Sequence, residues 1–306
     1  MRLVGHRGAS ALFPENTLAS FRASLGLCGA FEMDIQRLRT GELLILHDST
    51  LRRTGREIGA RARGEMEERW RGDGGKKGES SLLDAPVREL SMAEVLRFEV
   101  GSWMSEKWAL EYAPPFRSAL SLLHESACEK AHTFAELKAD RSELGAGYDA
   151  GLPAAAEAEV RAEAVLPHQA RYLLTCRLNV RDPSITCYLR HPSRRVLFFS
   201  RLAMLCCLAP KACLTWISFS LSLVIEMKRR MPDYRALLLG HASSAEQAWA
   251  YAKLCEQHDL DGIDLNVSEF VTKELVDWHH ERNKVVAVWV DRAPALNDTK
   301  VGLCSD

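Results

Sequence analysis

Phe31-Glu32-Met33-Asp34-Ile35, then Thr40-Gly41-Glu42, then Leu43-Leu44-Ile45-Leu46-His47-Asp48 is the stretch that decides the architecture. The first run is apolar except for two carboxylates two residues apart. Side chains alternate across a strand, so Glu32 and Asp34 project to one face while Phe31, Met33 and Ile35 take the other. The Thr-Gly-Glu turn joins this strand to a second apolar run, and the pair reads as a hairpin. Two anions held side by side on an apolar strand call for a cation, and oxygen-only ligation suits Mg²⁺ or Ca²⁺ better than zinc.

Working outward, Leu3-Val4 reads as a short strand leading into His6-Arg7-Gly8. Pro14-Glu15-Asn16-Thr17 opens a helix with the stripe Leu18, Phe21 and Leu25, and Asn16 is its expected N-cap. Further strands are expected at Thr133–Lys138, Leu214–Phe219, Ala236–Leu239, Gly262–Leu265 and Val285–Val290. Helices lie between several of them. Leu223, Val224, Met227 and Met231 mark one that Pro232 stops, and Ser243 with Glu246 reads as a capping box ahead of Ala248, Trp249, Ala252 and Cys255. Strands alternating with amphipathic helices predict a parallel α/β architecture.

The 306 residues suit a single domain, 1–306, and the net charge of -1 provides no general basic field to collect nucleic acid. The expected partner is a small molecule, with oligomeric state left open. Nine cysteines without a C-x-x-C pair predict reduced thiols. The apolar stretch Val196–Ile217 is interrupted by Arg201, Pro210 and Lys211, so no transmembrane helix is expected. His6 follows Leu3-Val4 at once, which leaves no room for a secretory signal and predicts a cytoplasmic protein. Two stretches break the rhythm: about 56–85, rich in charge and glycine and read as an exposed excursion, and about 171–213, read as an atypical insertion.

Glu136 lies in Phe134-Ala135-Glu136-Leu137-Lys138, where alternation adds a third carboxylate and a cation on one side. His6 and His47 each end a strand, and imidazole titrates near neutral pH, so the pair suits general acid and base. Arg7 can grip a phosphate bidentately, and Gly8 would let a substrate approach the backbone. His279-His280, on a helix marked by Thr272, Leu275 and Val276, reads as surface.

The ordered segments His6-Arg7-Gly8, Pro14-Glu15-Asn16-Thr17, Glu32-x-Asp34, His47-Asp48, Glu136-x-Lys138 and Val288-Trp289-Val290 resemble the glycerophosphodiester phosphodiesterase family. The resemblance covers residues 2 to about 55 and, more loosely, 87 to 295. It implies a TIM (β/α)8 barrel and hydrolysis of a glycerophosphodiester to glycerol 3-phosphate and an alcohol. In that reading Glu32, Asp34 and Glu136 are metal ligands, His6 and His47 the acid–base pair, and Arg7 and Lys138 phosphate ligands. Glu15 supports the site, and Phe219 and Trp289 wall the pocket. The family follows its Trp-containing strand with a helix and a closing strand, so a chain ending at Asp306 predicts a barrel incomplete at its C-terminus. Two alternatives accompany this reading: a catalytically silent phosphate-binding protein with an incomplete barrel, and a lysophospholipase D-type enzyme.

Overall fold

The structure, a computed structural model, describes residues 3–58, 79–125, 131–139, 151–162 and 213–290. The central sheet contains β1 (Ala30–Arg37), β2 (Leu43–Ile45), β5 (His132–Leu137), β6 (Leu214–Ser218), β7 (Arg235–Gly240), β8 (Gly262–Asn266) and β9 (Val285–Trp289), in the order β2-β1-β5-β6-β7-β8-β9. From β1 to β9 every neighbour is parallel. Two short strands, β3 (Arg56–Glu57) and β4 (Phe98–Glu99), pair separately. Parallel neighbours need crossovers, and helices Leu221–Arg230, Ala245–Gln257 and Lys273–His280 supply the last three. This is the βα order of a TIM barrel.

The expected strand at Leu3-Val4 is reduced to one parallel bridge, Gly5 to Phe31, with Gly5 N–H donating to Ala30 O and Glu32 N–H to Gly5 O. Among the described residues no strand joins β9 to this edge. The expected insertion at 171–213 and the C-terminal shortfall after Asp291 lie outside the described residues, apart from Cys213.

Strand alternation divides the core into an outer layer and an interior. Phe31, Met33, Ile35, Ala135, Trp216, Leu238, Ile263 and Leu265 face the helices and pack with Phe21, Val224, Met227, Ala248 and Leu275. Ile217, Leu237 and Leu239 form an inner cluster joined by Phe134, Val285, Ala287 and Trp289. Burying one Leu, Ile or Phe side chain contributes about 1.5–3 kcal/mol, so the helix-facing layer is the main stabiliser. A second outer cluster, including Leu51, Leu82, Val87, Leu90 and Phe98, covers the hairpin side.

Several local expectations are corrected. The helix Leu18–Cys28 is capped by Thr17, whose Oγ1 accepts from Ser20 N–H while Ser20 Oγ accepts from Thr17 N–H. Asn16 is drawn away from capping by Asp34. The cap of Ala245–Gln257 is Ser244, because Gln247 rather than Glu246 reaches back, its Oε1 accepting from Ser243. His279 is buried, with Nδ1 hydrogen-bonded to Leu275 O, so only His280 is surface. The region 56–85 is not wholly exposed, since Ile58 and Leu82 are buried; residues 59–78 lie outside the described residues.

Candidate active site

Glu32 and Asp34 point inward from β1 and Glu136 inward from the adjacent β5, where Asp34 is in register with Glu136. All three are buried, and their oxygens lie within 4.8 Å of one another. Lys138 Nζ lies 2.8 Å from both Asp34 Oδ1 and Glu136 Oε1. Glu32 takes a different partner: its Oε2 accepts from Arg7 N–H at 2.8 Å, while its Oε1 is buried with no hydrogen-bond partner among the described residues.

Electrostatics separates these carboxyls. Burial, with the charges of Asp34 and Glu136, pushes Glu32 well above the ordinary carboxylate range. Burial also pushes Glu136 up, and the opposing pull of Lys138 does not cancel it. For Asp34, burial is outweighed by Lys138, His47 and Arg7, which hold it well below its usual value. One ammonium cannot satisfy three buried carboxylates. The orphaned Glu32 oxygen and the all-oxygen donor set fit a divalent cation of the Mg²⁺ or Ca²⁺ type.

The loop after Gly5 adds the basic groups. Arg7 adopts φ 55 and Gly8 φ 81, both left-handed, a strained arrangement at Arg7 that its surroundings enforce. Arg7 O accepts from Asn16 N–H and Ser20 Oγ, Arg7 Nε lies 3.5 Å from Asp34 Oδ2, and Nη1 donates to Glu15 at 3.0 Å. The fold gives Gly8 its own reasons to be glycine: its left-handed backbone, and the collision a Cβ there would make with Ser20. His6 Nε2 stands 3.9 Å from Glu32 Oε2, and burial followed by the Arg7 charge lowers its pKa.

His47 reaches the site through the expected hairpin. It follows β2, which runs antiparallel to β1, and Leu46 N–H donates to Asp34 O at 3.0 Å. The hairpin therefore folds His47 back beside the acidic strand. Its Nδ1 lies 2.7 Å from Asp48 Oδ1. An ionised carboxylate only accepts, so Nδ1 carries the proton and Nε2 is left free to exchange one. Burial pushes the Asp48 carboxyl up, but hydrogen bonds from His47 and Arg53 outweigh it and hold it well below its ordinary value.

Phe219 and Trp289 follow β6 and end β9, at the same mouth of the sheet, with ring centroids 6.1 Å apart. Trp289 Nε1 donates to Gly240 O, and His241 lies 6.2 Å from the same ring.

A profile of the Glycerophosphoryl diester phosphodiesterase family matches residues 6–304. The chain belongs to this family. A glycerophosphodiester phosphodiesterase of Caldanaerobacter subterraneus is 36% identical over 122 residues, 40% of each chain. One from Bacillus subtilis is 26% identical over 114 residues, 37% of this chain and 30% of that relative. The chain spans half or less of the length of the curated relatives it matches first. Among solved structures, a glycerophosphodiester phosphodiesterase from Agrobacterium tumefaciens matches with TM-score 0.56 at 17% identity, covering 94% of this chain and 86% of that one. An Oleispira antarctica phosphodiesterase in complex with the product sn-glycerol-3-phosphate matches with TM-score 0.58 at 18% identity, covering 94% and 84%. These similarities confirm the TIM-barrel fold, and the acidic cluster is consistent with metal binding in this family.

Three participants escaped the sequence reading. Asn16 takes φ 57, donates from Nδ2 to Asp34 Oδ2 at 2.6 Å and accepts Asp34 N–H on Oδ1. Gln36 Nε2 donates to Leu46 O and Asp48 O, pinning the backbone on both sides of His47. Arg53 joins Asp48 to Glu15. Asn16 and Gln36 had readable signals, since Asn tolerates left-handed backbone and Gln36 shares the inward face of Glu32 and Asp34. No pattern marked Arg53.

Among the described residues no helix is long and apolar enough to cross a membrane.

Proposed function

We propose that this chain hydrolyses glycerophosphodiesters to glycerol 3-phosphate and an alcohol, with His6 and His47 as the acid–base pair. The observation that carries the reading is the convergence of Glu32, Asp34 and Glu136 with Arg7, Lys138 and two imidazoles at one mouth of the barrel. Family membership and a barrel neighbour that holds sn-glycerol-3-phosphate support the choice of substrate.

Arg7 and Lys138 bind the phosphate oxygens, with Glu15 fixing the Arg7 guanidinium. His47 Nε2 faces the substrate with its tautomer set by Asp48, and His6 stands by Glu32. One imidazole removes the proton of the attacking hydroxyl and the other returns a proton to the leaving alkoxide. Glu32, Asp34 and Glu136 would hold a Mg²⁺ or Ca²⁺ ion, which supplies neutralisation of phosphoryl charge and a more acidic hydroxyl. Phe219 and Trp289 wall the side where the alcohol leaves.

The purified chain with Mg²⁺ or Ca²⁺ should release glycerol 3-phosphate from glycerophosphocholine, and His6→Ala and His47→Ala should each lower kcat by about 10²-fold or more. Parent-like turnover in both variants would overturn the acid–base assignment. Binding of glycerol 3-phosphate by the parent with no turnover would overturn the enzymatic reading.

A further inference from the structure

Arg53 lies outside the groups that face phosphate or metal, yet its donors all point at their supports. Nε and Nη2 reach Asp48 Oδ2 and Oδ1 at 2.6 and 3.1 Å. Nη1 and Nη2 reach Glu15 Oε2 and Oε1 at 2.9 and 2.6 Å. Each carboxylate then has one further partner within the site: Asp48 holds His47 Nδ1, and Glu15 accepts from Arg7 Nη1. A continuous line of charge-assisted hydrogen bonds runs from His47 through Asp48, Arg53 and Glu15 to Arg7.

The scaffold does not need this side chain for packing. Arg53 is 42% exposed, with its guanidinium 5.9 Å from the centre of the Trp103 ring, and ion pairs of that exposure contribute little stability. Its backbone is fixed independently, because Leu51 and Thr54 are buried and Gly55 N–H donates to Leu51 O. What the planar guanidinium provides is geometry: two edges that grip two carboxylates at once, which a lysine ammonium cannot reproduce.

We propose that Arg53 is a positioning residue that couples the proton-transferring imidazole of His47 to the phosphate-gripping guanidinium of Arg7. Through Asp48 it keeps Nδ1–H of His47 engaged and Nε2 turned to the substrate. Through Glu15 it keeps Arg7 from swinging out. The inference rests on the roles proposed above for His47 and Arg7.

The test compares the parent with Arg53→Ala, Arg53→Lys, Asp48→Asn and the double variant Arg53→Ala/Asp48→Asn. Glycerophosphocholine with Mg²⁺ is the substrate, and thermal midpoints are recorded for each. Arg53→Ala should lose about tenfold to a hundredfold in kcat, part of what a positioned acid–base group supplies. Arg53→Lys, which guards against a failure of the alanine variant to fold, should keep the parent's thermal midpoint and still fall short of its kcat. The double variant should fall below Asp48→Asn by clearly less than Arg53→Ala falls below the parent, because the Asp48 link is already broken and only the Glu15–Arg7 link remains to be lost. Losses that multiply, or a parent-like kcat in Arg53→Ala, overturn the proposal. A readout without turnover separates it from the enzymatic reading. In ¹⁵N spectra His47 should hold the Nδ1–H tautomer in the parent and mix tautomers in Arg53→Ala, and an unchanged tautomer overturns the proposal even if the parent is inert.

Discussion

The inward positions of β1 and β5 include Glu32, Asp34, Gln36, Phe134 and Glu136, with Lys138 just beyond, whereas those of β6, β7 and β9 include Ile217, Leu237, Leu239, Val285, Ala287 and Trp289. Both halves use the same alternation and both are largely buried, yet burial has opposite consequences. On the apolar half it stabilises the fold directly. On the charged half it penalises every carboxylate, and among the described residues Lys138, Arg7, His47 and Asn16 relieve the penalty in part, leaving a donor set that fits a divalent cation. The chemistry is concentrated where the fold is locally most expensive.

Asp34→Asn tests that division most severely. Asp34 faces Lys138 and Arg7 and accepts from Asn16, so the amide keeps the shape while removing the charge that organises all three. Turnover should fall by about 10³-fold, near the upper range for losing one preorganised electrostatic partner, with weaker Mg²⁺ binding by calorimetry. Parent-like activity would place the reaction elsewhere. The apolar half should respond in the opposite sense: Leu237→Ala, at a position with no exposure, should cost about 2–4 kcal/mol in denaturant unfolding and leave KM within about twofold.

Asp264 is the exception that sharpens the contrast. It points inward from β8 between Leu239 and Ala287, and its Oδ1 has no hydrogen-bond partner among the described residues. Burial, then the charge of Glu136, raises its pKa to about 7. In the unfolded chain the group ionises near pH 4, so between roughly pH 4 and 7 the unfolded state has released a proton that the folded state retains. Stability therefore falls as pH rises through that window, and the full loss persists above it. Asp264→Asn should gain about 1–3 kcal/mol at pH 8 and little at pH 4.5, measured by thermal unfolding. Equal gains at the two pH values would mean that ionisation is not the cause.

How much of this was legible depended on whether a signal was periodic or tertiary. The carboxylates of Glu32, Asp34 and Glu136 and the partner Lys138 followed from alternation alone, and the expected strands from Phe31 to Val290 match those found to within two residues at each end, the largest difference being at the end of β1. Helix caps shifted because side chains had stronger competitors: Asn16 is claimed by Asp34, which leaves Thr17 to cap. His279 was misread because Leu275 O satisfies its Nδ1 and permits its burial, a contact no spacing announces. Arg53 was missed since Glu15 and Asp48 meet only when the hairpin folds His47 back across β1.

The smallest effect is expected where the apolar half meets solvent. Trp289 is tied to Gly240 O through its indole N–H, so it is anchored as part of the scaffold, whereas Phe219 is half-exposed and meets it edge-on. Removing the freer ring should therefore leave folding nearly untouched and act on the alcohol end of the substrate. Aromatic faces at an exposed site attract a quaternary ammonium by about 0.5–1 kcal/mol, so Phe219→Ala should raise KM for glycerophosphocholine by about threefold with kcat unchanged. A substrate whose alcohol carries no cation should show less of this loss. An equal change for charged and uncharged alcohols would assign Phe219 to shape rather than charge, and a fall in thermal midpoint comparable to that of Leu237→Ala would make it part of the core.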